Sequence, residues 1–163
     1  MIGKLRNMTA IYLIKDDKVL LLFRQGGKVV TDVWTGSAGG HFEDFELNNA
    51  TACVLRELNE ELNLCENDID NLSLRYITLR RIKGEIRQTY YFFANLKEHI
   101  SDKLRSNEGT VKWFLLNEIN SLEMPYTAKY VMEHWCTSGR FSDKIYTGVA
   151  NENGVEIIEL PEF

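Results

Sequence analysis

The stretch Gly39–Leu64, GGHFEDFELNNATACVLRELNEELNL, decides how this sequence is interpreted. Two glycines lead into an acidic segment, and a helical pattern then carries Glu57, Glu60 and Glu61. Residues three and four apart share one helix face, so these carboxylates crowd one another, at a cost of roughly 0.2–0.5 kcal/mol per pair. Most such faces are simply solvated. The alternative is a site for Mg²⁺, which prefers carboxylate oxygens.

The helix itself is predicted from the spacing of its apolar residues, over about Asn48–Asn63. A helical wheel places the glutamates roughly opposite the face expected to be buried, which comprises Thr51, Leu55, Leu58 and Leu62 with Ala52 at its border. Asn48 or Asn49 is expected to cap the N-terminus. Asn63 is expected to end the helix in the left-handed conformation.

The rest of the chain alternates strand patterns with one more helix. Strands are predicted at Met8–Ile14, Lys18–Arg24, Leu72–Ile82, Ile86–Leu96, Val111–Leu116, Lys144–Ala150 and Val155–Leu160, and a second helix at Pro125–Cys136. Gln25–Gly40 is predicted to be loop, and Lys83–Glu85 a turn. This order predicts an α+β fold with a helix packed on each side of a sheet. No linker divides the chain, so residues 1–163 are expected to form a single domain.

Composition limits the kind of partner. The 163 residues carry a net charge of −5, with a pI near 5.3, which argues against binding a nucleic-acid polymer. A small phosphorylated ligand remains compatible, because a metal can supply positive charge. Three cysteines without a CxxC pair, no secretion signal and no apolar run of about 20 residues together predict a cytoplasmic protein that does not enter membranes.

The stretch resembles the Nudix box of the Nudix hydrolases. Five residues separate Gly40 from Glu46, and the segment Arg56–Leu64, RELNEELNL, matches the end of the box. Two departures stand out: nine residues rather than seven precede Arg56, and Asn63 replaces a glycine. Because of the insertion, Glu43 and Glu46 both remain candidates for the first glutamate of the box.

The resemblance implies a fold, an activity and a set of site residues. The order of elements is similar to a whole Nudix domain, a mixed sheet sandwiched between helices. The implied reaction is Mg²⁺-dependent hydrolysis, with Mn²⁺ as the other candidate metal, of a nucleoside diphosphate linked to a further group. The implied metal ligands are the carbonyl of Gly39 and the carboxylates of Glu57, Glu60 and Glu61. Arg56 is implied to hold a glutamate in place.

The catalytic base remains open between Glu57 and Glu108, since Glu108 lies in a loop that resembles one offering a late glutamate in many members. Arg24, at the end of a strand near the implied site, is a candidate phosphate ligand, with an ordinary surface arginine as the alternative. Trp34, on the predicted loop, is the best candidate for stacking on a base. His41 is interpreted as structural rather than as a metal ligand, and Cys53 as a packing thiol.

The substrate stays open at this point. A (deoxy)nucleoside triphosphate or oxidised nucleotide is favoured, since the C-terminal segment from Gly139 resembles a tail in bacterial members near the 8-oxo-dGTP group. The alternatives are ADP-ribose or a nucleotide sugar, and a Nudix-like module that senses a nucleotide without cleaving it. Because the box acids are retained, an enzyme is favoured over the sensor. The small-molecule nucleotide is the expected partner, and a homodimer is compatible with the sequence.

Overall fold

A computed structural model of the protein describes residues 3–25 and 32–163. In this part of the chain, eight strands form one mixed sheet. The strands are β1 (Lys4–Lys15), β2 (Lys18–Arg24), β3 (Val33–Thr35), β4 (Ile69–Ile82), β5 (Glu85–Leu96), β6 (Thr110–Leu115), β7 (Tyr146–Asn151) and β8 (Gly154–Glu159). Helix α1 spans Ala50–Leu62 and helix α2 spans Tyr126–Thr137. Short 3₁₀ turns lie at Asp44–Glu46, Glu66–Asp68, Leu116–Ser121 and Gly139–Phe141.

The sheet has the order β3-β2-β1-β5-β4-β7-β8, and β6 pairs with β2. Strand β1 runs parallel to β5, and β4 runs parallel to β7, whereas the other pairs are antiparallel. The two longest pairings, β1 with β5 and β5 with β4, form the centre of the sheet. These three strands carry the face on which a ligand cavity opens.

Both faces of the sheet are covered by a helix, as the sequence predicted. In β1, Ile11 and Leu13 point to the side of α1, and the intervening Tyr12 points to the side of α2. Side chains alternate between the faces of a strand, so a strand buried on both sides is apolar throughout. This architecture confirms the α+β mixed sheet between helices. Neither helix in residues 3–25 and 32–163 has the length and apolar character needed to cross a membrane.

Two local predictions are corrected. The predicted loop Gln25–Gly40 contains β3, whose residues pair with Leu22–Arg24 of β2. A three-residue strand is too short to show a period, and only its position beside β2 reveals it. Residues 26–31 of that predicted loop lie outside the described residues. The turn after β4 has two residues, Lys83 and Gly84, both with positive φ, so β5 begins at Glu85.

The buried face of α1 is also rotated relative to the prediction. Thr51 is exposed, whereas Cys53 and Val54 are fully buried. The Cys53 thiol lies 3.3 Å from the hydroxyl of Thr9 on β1, which places this edge of the helix against the sheet. As a result Glu61, expected on the face opposite the leucines, is itself buried.

Candidate active site

Helix α1 is held at both ends by the asparagines that the sequence singled out. The backbone N–H of Ala52 donates to the side chain of Asn49 at 3.0 Å. Asn63 adopts the left-handed conformation, with φ 54°, and its N–H donates to the carbonyl of Asn59 at 2.9 Å. Both cap predictions are confirmed, and the caps fix where the acidic residues of the helix lie.

Two glycines allow the preceding loop to lie between β1 and α1. The loop runs along β1, where the N–H of Thr9 donates to the carbonyl of Gly40 at 2.8 Å. Gly39 has φ +151°, and a Cβ there would fall 2.3 Å from the carbonyl oxygen of Thr9. A Cβ on Gly40 would fall 2.4 Å from a carboxylate oxygen of Glu57. The glycine pair is therefore required for the acidic helix to approach β1 closely.

Arg56 connects the acids of the site. Its guanidinium donates to both carboxylate oxygens of Glu46, from Nε at 2.7 Å and from Nη2 at 3.0 Å. Nη1 donates to Glu57 at 2.8 Å and to Glu60 at 3.0 Å. The hydrogen bonds from Arg56 lower the pKa of the buried Glu46 to about 2, against the effect of burial. Glu46, and not the exposed Glu43, therefore occupies the position paired with the arginine.

Glu61 is a buried carboxylate that is only half satisfied. Its Oε1 accepts from Nη2 of Arg24 at 3.2 Å, and its side chain is 7% exposed. Within the described residues, its Oε2 has no hydrogen-bond partner. Burial raises the pKa of Glu61 to about 7; Arg24 opposes this rise, and the charges of Glu57 and Glu108 add to it. A buried oxygen without a donor is suited to a cation.

Residues far apart in the sequence converge on this carboxylate. Arg24 also donates to the carbonyl of Gly39 at 3.4 Å. The side chain of Asn107 donates to the backbone carbonyl of Glu60 at 3.1 Å, which brings the loop with Glu108 to the end of α1. The structure thus brings Gly39, Arg24, helix α1 and the loop of Glu108 close to one another, and the roles of these residues stay predictions.

Trp34 does not join this group. It lies on β3, not on a loop, and its ring packs between those of Phe23, at 5.0 Å, and Phe114, at 4.7 Å. The expectation that a loop exposes it for base stacking is therefore not supported by its position. His41 is engaged by Arg6, whose Nε donates to the imidazole. Burial, Arg6 and Arg87 lower the pKa of His41, in keeping with a structural role.

A cavity of about 380 Å³ opens beside the glycine loop, over the face formed by β1, β5 and β4. Its lining includes Arg24, Gly39, Gly40 and His41 around the glycine loop, and Pro125, Thr127 and Ala128 of the α2 region. Tyr12, which is fully buried, is among the lining residues, and its hydroxyl has no partner among the described residues. Tyr91 and Thr127 also belong to the lining, and their hydroxyl groups contact each other at 2.8 Å.

Sequence reasoning missed several residues of this cavity. Tyr12 lies in an apolar strand, where the pattern shows only core. Three arginines of the lining, Arg6, Arg80 and Arg87, lie on separate strands. For two of them the length of the turn after β4 could have been the signal. A two-residue turn at Lys83-Gly84 places Arg80 opposite Arg87.

The donor set fits a hard divalent cation. Arg56 engages one oxygen each of Glu57 and Glu60, and Arg24 engages one oxygen of Glu61. Each carboxylate retains its second oxygen, and oxygen ligands are those that Mg²⁺ prefers. Within residues 3–25 and 32–163, no group of three or more acidic, histidine or cysteine side chains is already gathered as a metal site. Arg56 occupies one oxygen each of Glu57 and Glu60, so a cation that binds both carboxylates would do so beside this guanidinium.

Comparison with known proteins gives consistent findings. The sequence profile of the NUDIX domain matches residues 4–135. The search of curated proteins returned no significant match. Among solved structures, the mutator MutT protein from Bacillus halodurans is similar at 22% identity and a TM-score of 0.64, over 93% of this chain and 97% of that one.

Two further structures have the same fold. The MutT NUDIX hydrolase from Burkholderia pseudomallei is similar at 19% identity and a TM-score of 0.61, over 80% of this chain and 98% of that one. The NUDIX domain of Shewanella oneidensis NrtR, in complex with ADP ribose, is similar at 18% identity and a TM-score of 0.60, over 87% and 90% of the two chains. At these identities the likeness concerns the fold.

Proposed function

The chain belongs to the Nudix family and is a Nudix hydrolase, and from this premise we propose that it performs Mg²⁺-dependent hydrolysis of a phosphoanhydride bond in a nucleoside diphosphate linked to another group. The observation that carries the proposal is the buried carboxylate of Glu61. Its Oε2 has no hydrogen-bond partner among the described residues. Arg24 donates both to Oε1 of this carboxylate and to the Gly39 carbonyl, and Arg24 and Gly39 line the cavity of about 380 Å³.

The acidic residues of helix α1 have a shared proposed role in holding the cation. Glu60, Glu61 and the carbonyl of Gly39 hold the cation, with Glu57 as a further ligand. When bound, Mg²⁺, or Mn²⁺ in its place, neutralises phosphate charge and stabilises the attacked phosphorus centre. Arg56 positions Glu57 and Glu60 through its hydrogen bonds while Glu46 anchors the guanidinium. Arg24 binds a phosphate oxygen once its contact with Glu61 loosens.

Two carboxylates are candidates for the base that accepts the proton of the attacking water. Glu57 is partly buried, and burial raises its pKa, which favours proton acceptance. Glu108 lies on an exposed loop close enough to Glu61 to raise the pKa of that residue. Replacing each with glutamine separates the two when kcat is measured at saturating Mg²⁺, because Glu57 is also a proposed ligand and its loss weakens cation binding.

The favoured substrate is a (deoxy)nucleoside triphosphate or an oxidised nucleotide. The cavity of about 380 Å³ combines hydroxyl groups with four arginines, which suits a polar base and phosphate groups. The second candidate class is ADP-ribose and nucleotide sugars. It is supported by the fold shared with the NrtR domain whose structure contains ADP ribose. The cysteines of the described residues are free thiols, consistent with the proposed cytoplasmic location.

The decisive experiment is product analysis with Mg²⁺ on nucleoside triphosphates, 8-oxo-dGTP, ADP-ribose and nucleotide sugars. We expect one class to be hydrolysed and the Glu60→Gln variant to lose several orders of magnitude in rate with its fold intact. Glu98→Gln, which changes an exposed acid away from the site, serves as the matched control and keeps the rate. Full activity of Glu60→Gln, or activity in excess chelator, contradicts the proposed mechanism. Tight binding without turnover supports the sensing module instead.

A further inference from the structure

Three arginines lie side by side across the central strands. Arg6 of β1 is the register partner of Arg87 of β5, and Arg87 is the register partner of Arg80 of β4. All three line the cavity, and we refer to them as the arginine row. Like charges directly opposite one another on neighbouring strands destabilise a sheet. Their placement is therefore unfavourable unless something compensates their charge.

The protein compensates this charge only in part. Glu85 contacts Arg87 at 3.4 Å and Arg6 at 3.6 Å, but it also pairs with Lys4 at 3.0 Å. Arg80 forms no ion pair within the described residues; its guanidinium lies 4.6 Å from the ring centre of Tyr126. Within the part of the chain that the structure describes, Glu85 is thus the one carboxylate paired with these arginines, in a protein whose net charge is −5. The arginine row carries surplus positive charge into the cavity.

The arginine row meets the glycine loop through His41, whose imidazole accepts a hydrogen bond from Arg6. The glycine loop meets β1 at Thr9, whose N–H donates to the carbonyl of Gly40. Arg6 precedes Thr9 by three residues of strand, which corresponds to about 10 Å. Between them, a second row of register partners consists of Met8, Thr89 and Thr78, all in the cavity lining. A ligand whose diphosphate lies at the glycine loop can therefore extend along the sheet to the arginines.

We propose that the arginine row is a second anion site, which binds a phosphate or carboxylate group on a part of the substrate remote from the scissile bond. This inference rests on the proposed function, since it assumes that the diphosphate lies at the acidic helix. Guanidinium groups bind such anions through paired hydrogen bonds, and several of them surround one anion readily. The substrate class is then a nucleotide that carries an additional anionic group besides the phosphates that are cleaved, which favours the second candidate class, ADP-ribose and nucleotide sugars, over an ordinary nucleoside triphosphate.

Matched ligand pairs test the site without requiring catalysis. ADP-ribose and ADP-ribose 2′-phosphate differ by one phosphate, and UDP-glucose and UDP-glucuronate differ by one carboxylate. Binding is measured by titration calorimetry in excess chelator, so that no divalent cation recruits phosphate to the acidic helix. We expect the additional anion in at least one pair to tighten binding about tenfold, or about 1.4 kcal/mol. The pair that responds identifies the anion.

Variants assign the effect to the arginines. Arg80→Gln should abolish the difference within the responding pair, because Arg80 lies in the cavity and has no ion pair of its own among the described residues. Arg87→Gln should do the same, which guards against a folding defect in either variant. Arg81→Gln is the matched control, since Arg81 is the adjacent residue on β4, is exposed and does not line the cavity. It should retain the full difference.

The possible results are distinct. Equal binding within both pairs by the wild type, or a preference that survives Arg80→Gln and Arg87→Gln, overturns the anion site. Hydrolysis of the same compounds with Mg²⁺ is assayed separately. An anion preference without hydrolysis of any nucleotide leaves the site standing and removes the proposed function. Hydrolysis without an anion preference supports the proposed function and overturns the anion site.

Discussion

Arg56 donates two hydrogen bonds to the carboxylate of Glu46, from Nε at 2.7 Å and from Nη2 at 3.0 Å. The same guanidinium also donates to Glu57 and Glu60. The orientation of these two box acids therefore depends on the ion pair between Arg56 and Glu46. The 3₁₀ turn Asp44–Glu46 returns Glu46 to the helix despite the longer spacing before Arg56. The insertion relative to the family pattern is thereby absorbed without losing this contact.

Replacing Glu46 should therefore destabilise the protein. Its side chain is 1% exposed, and Glu46→Gln removes the charge that neutralises a partly buried guanidinium. We expect a loss of about 2–3 kcal/mol in the free energy of unfolding, measured with denaturant at pH 7. Glu43→Gln is the matched control; because Glu43 is exposed, it should change stability by less than about 0.5 kcal/mol. The opposite order would assign the anchoring role to Glu43.

The same pair predicts how stability depends on acid. Arg56 lowers the pKa of Glu46 in the folded protein to about 2, below its ordinary value of 4.5. A lowered carboxyl pKa contributes stability that is complete above pH 4.5 and is lost as the pH falls toward 2. The stability difference between wild type and Glu46→Gln should shrink over this range, as followed by thermal unfolding. A difference that stays constant down to pH 2 would contradict the prediction.

The contribution of Glu61 to stability should have the opposite pH dependence when no metal is present. Burial raises its pKa to about 7, so its contribution to stability is complete below pH 4.5 and is lost as the pH rises through 7. In chelator at pH 8, Glu61→Gln should therefore be more stable than the wild type, by about 1–2 kcal/mol. Mg²⁺ should raise the Tm of the wild type but not of the variant. A wild type that is more stable than Glu61→Gln in chelator at pH 8 would refute this.

Local signals in the sequence predicted α1, both of its asparagine caps and the set of acids that meet at its face. These features depend on neighbours within a few residues, and the glycine pair already indicated a close approach. Burial of Glu61 was not predictable from the helix alone. It depends on Cys53 packing against Thr9, and therefore on how α1 is rotated over β1.

Contacts between strands could not be predicted from sequence patterns either, because they depend on the register of the strands. With a three-residue turn at Lys83–Glu85, Arg87 would lie opposite Arg81, and the arginine row would not exist. The actual two-residue turn shifts the register and places Arg80 opposite Arg87. A change of one residue in register moves side chains to the other face of a sheet. The polarity of the cavity therefore depends on a detail that periodicity does not fix.

The two glycines of the loop should respond differently to substitution. Gly40→Ala places a methyl group against the Glu57 carboxylate, which is a side chain that can move. We expect it to fold and to lose at least tenfold in kcat, because Glu57 is displaced. In Gly39→Ala the new methyl group meets the backbone of Thr9, and alanine must adopt the φ of +151° that this position requires. This variant should instead lose about 2 kcal/mol or more of stability. Circular dichroism, thermal unfolding and steady-state rates distinguish the two, and equal effects would contradict this assignment.

We expect Tyr12, which the sequence pattern places in the core, to contact the ligand, and Trp34, which the sequence favoured for base stacking, to pack in the core. Tyr12→Phe removes a buried hydroxyl without a partner in the described residues, so stability should be unchanged or slightly higher. If the hydroxyl bonds the ligand in the cavity, KM should rise about tenfold. Trp34→Leu removes contacts with Phe23 and Phe114 and should cost about 2–3 kcal/mol of stability at unchanged KM. A raised KM in Trp34→Leu with normal stability would restore Trp34 as the stacking residue.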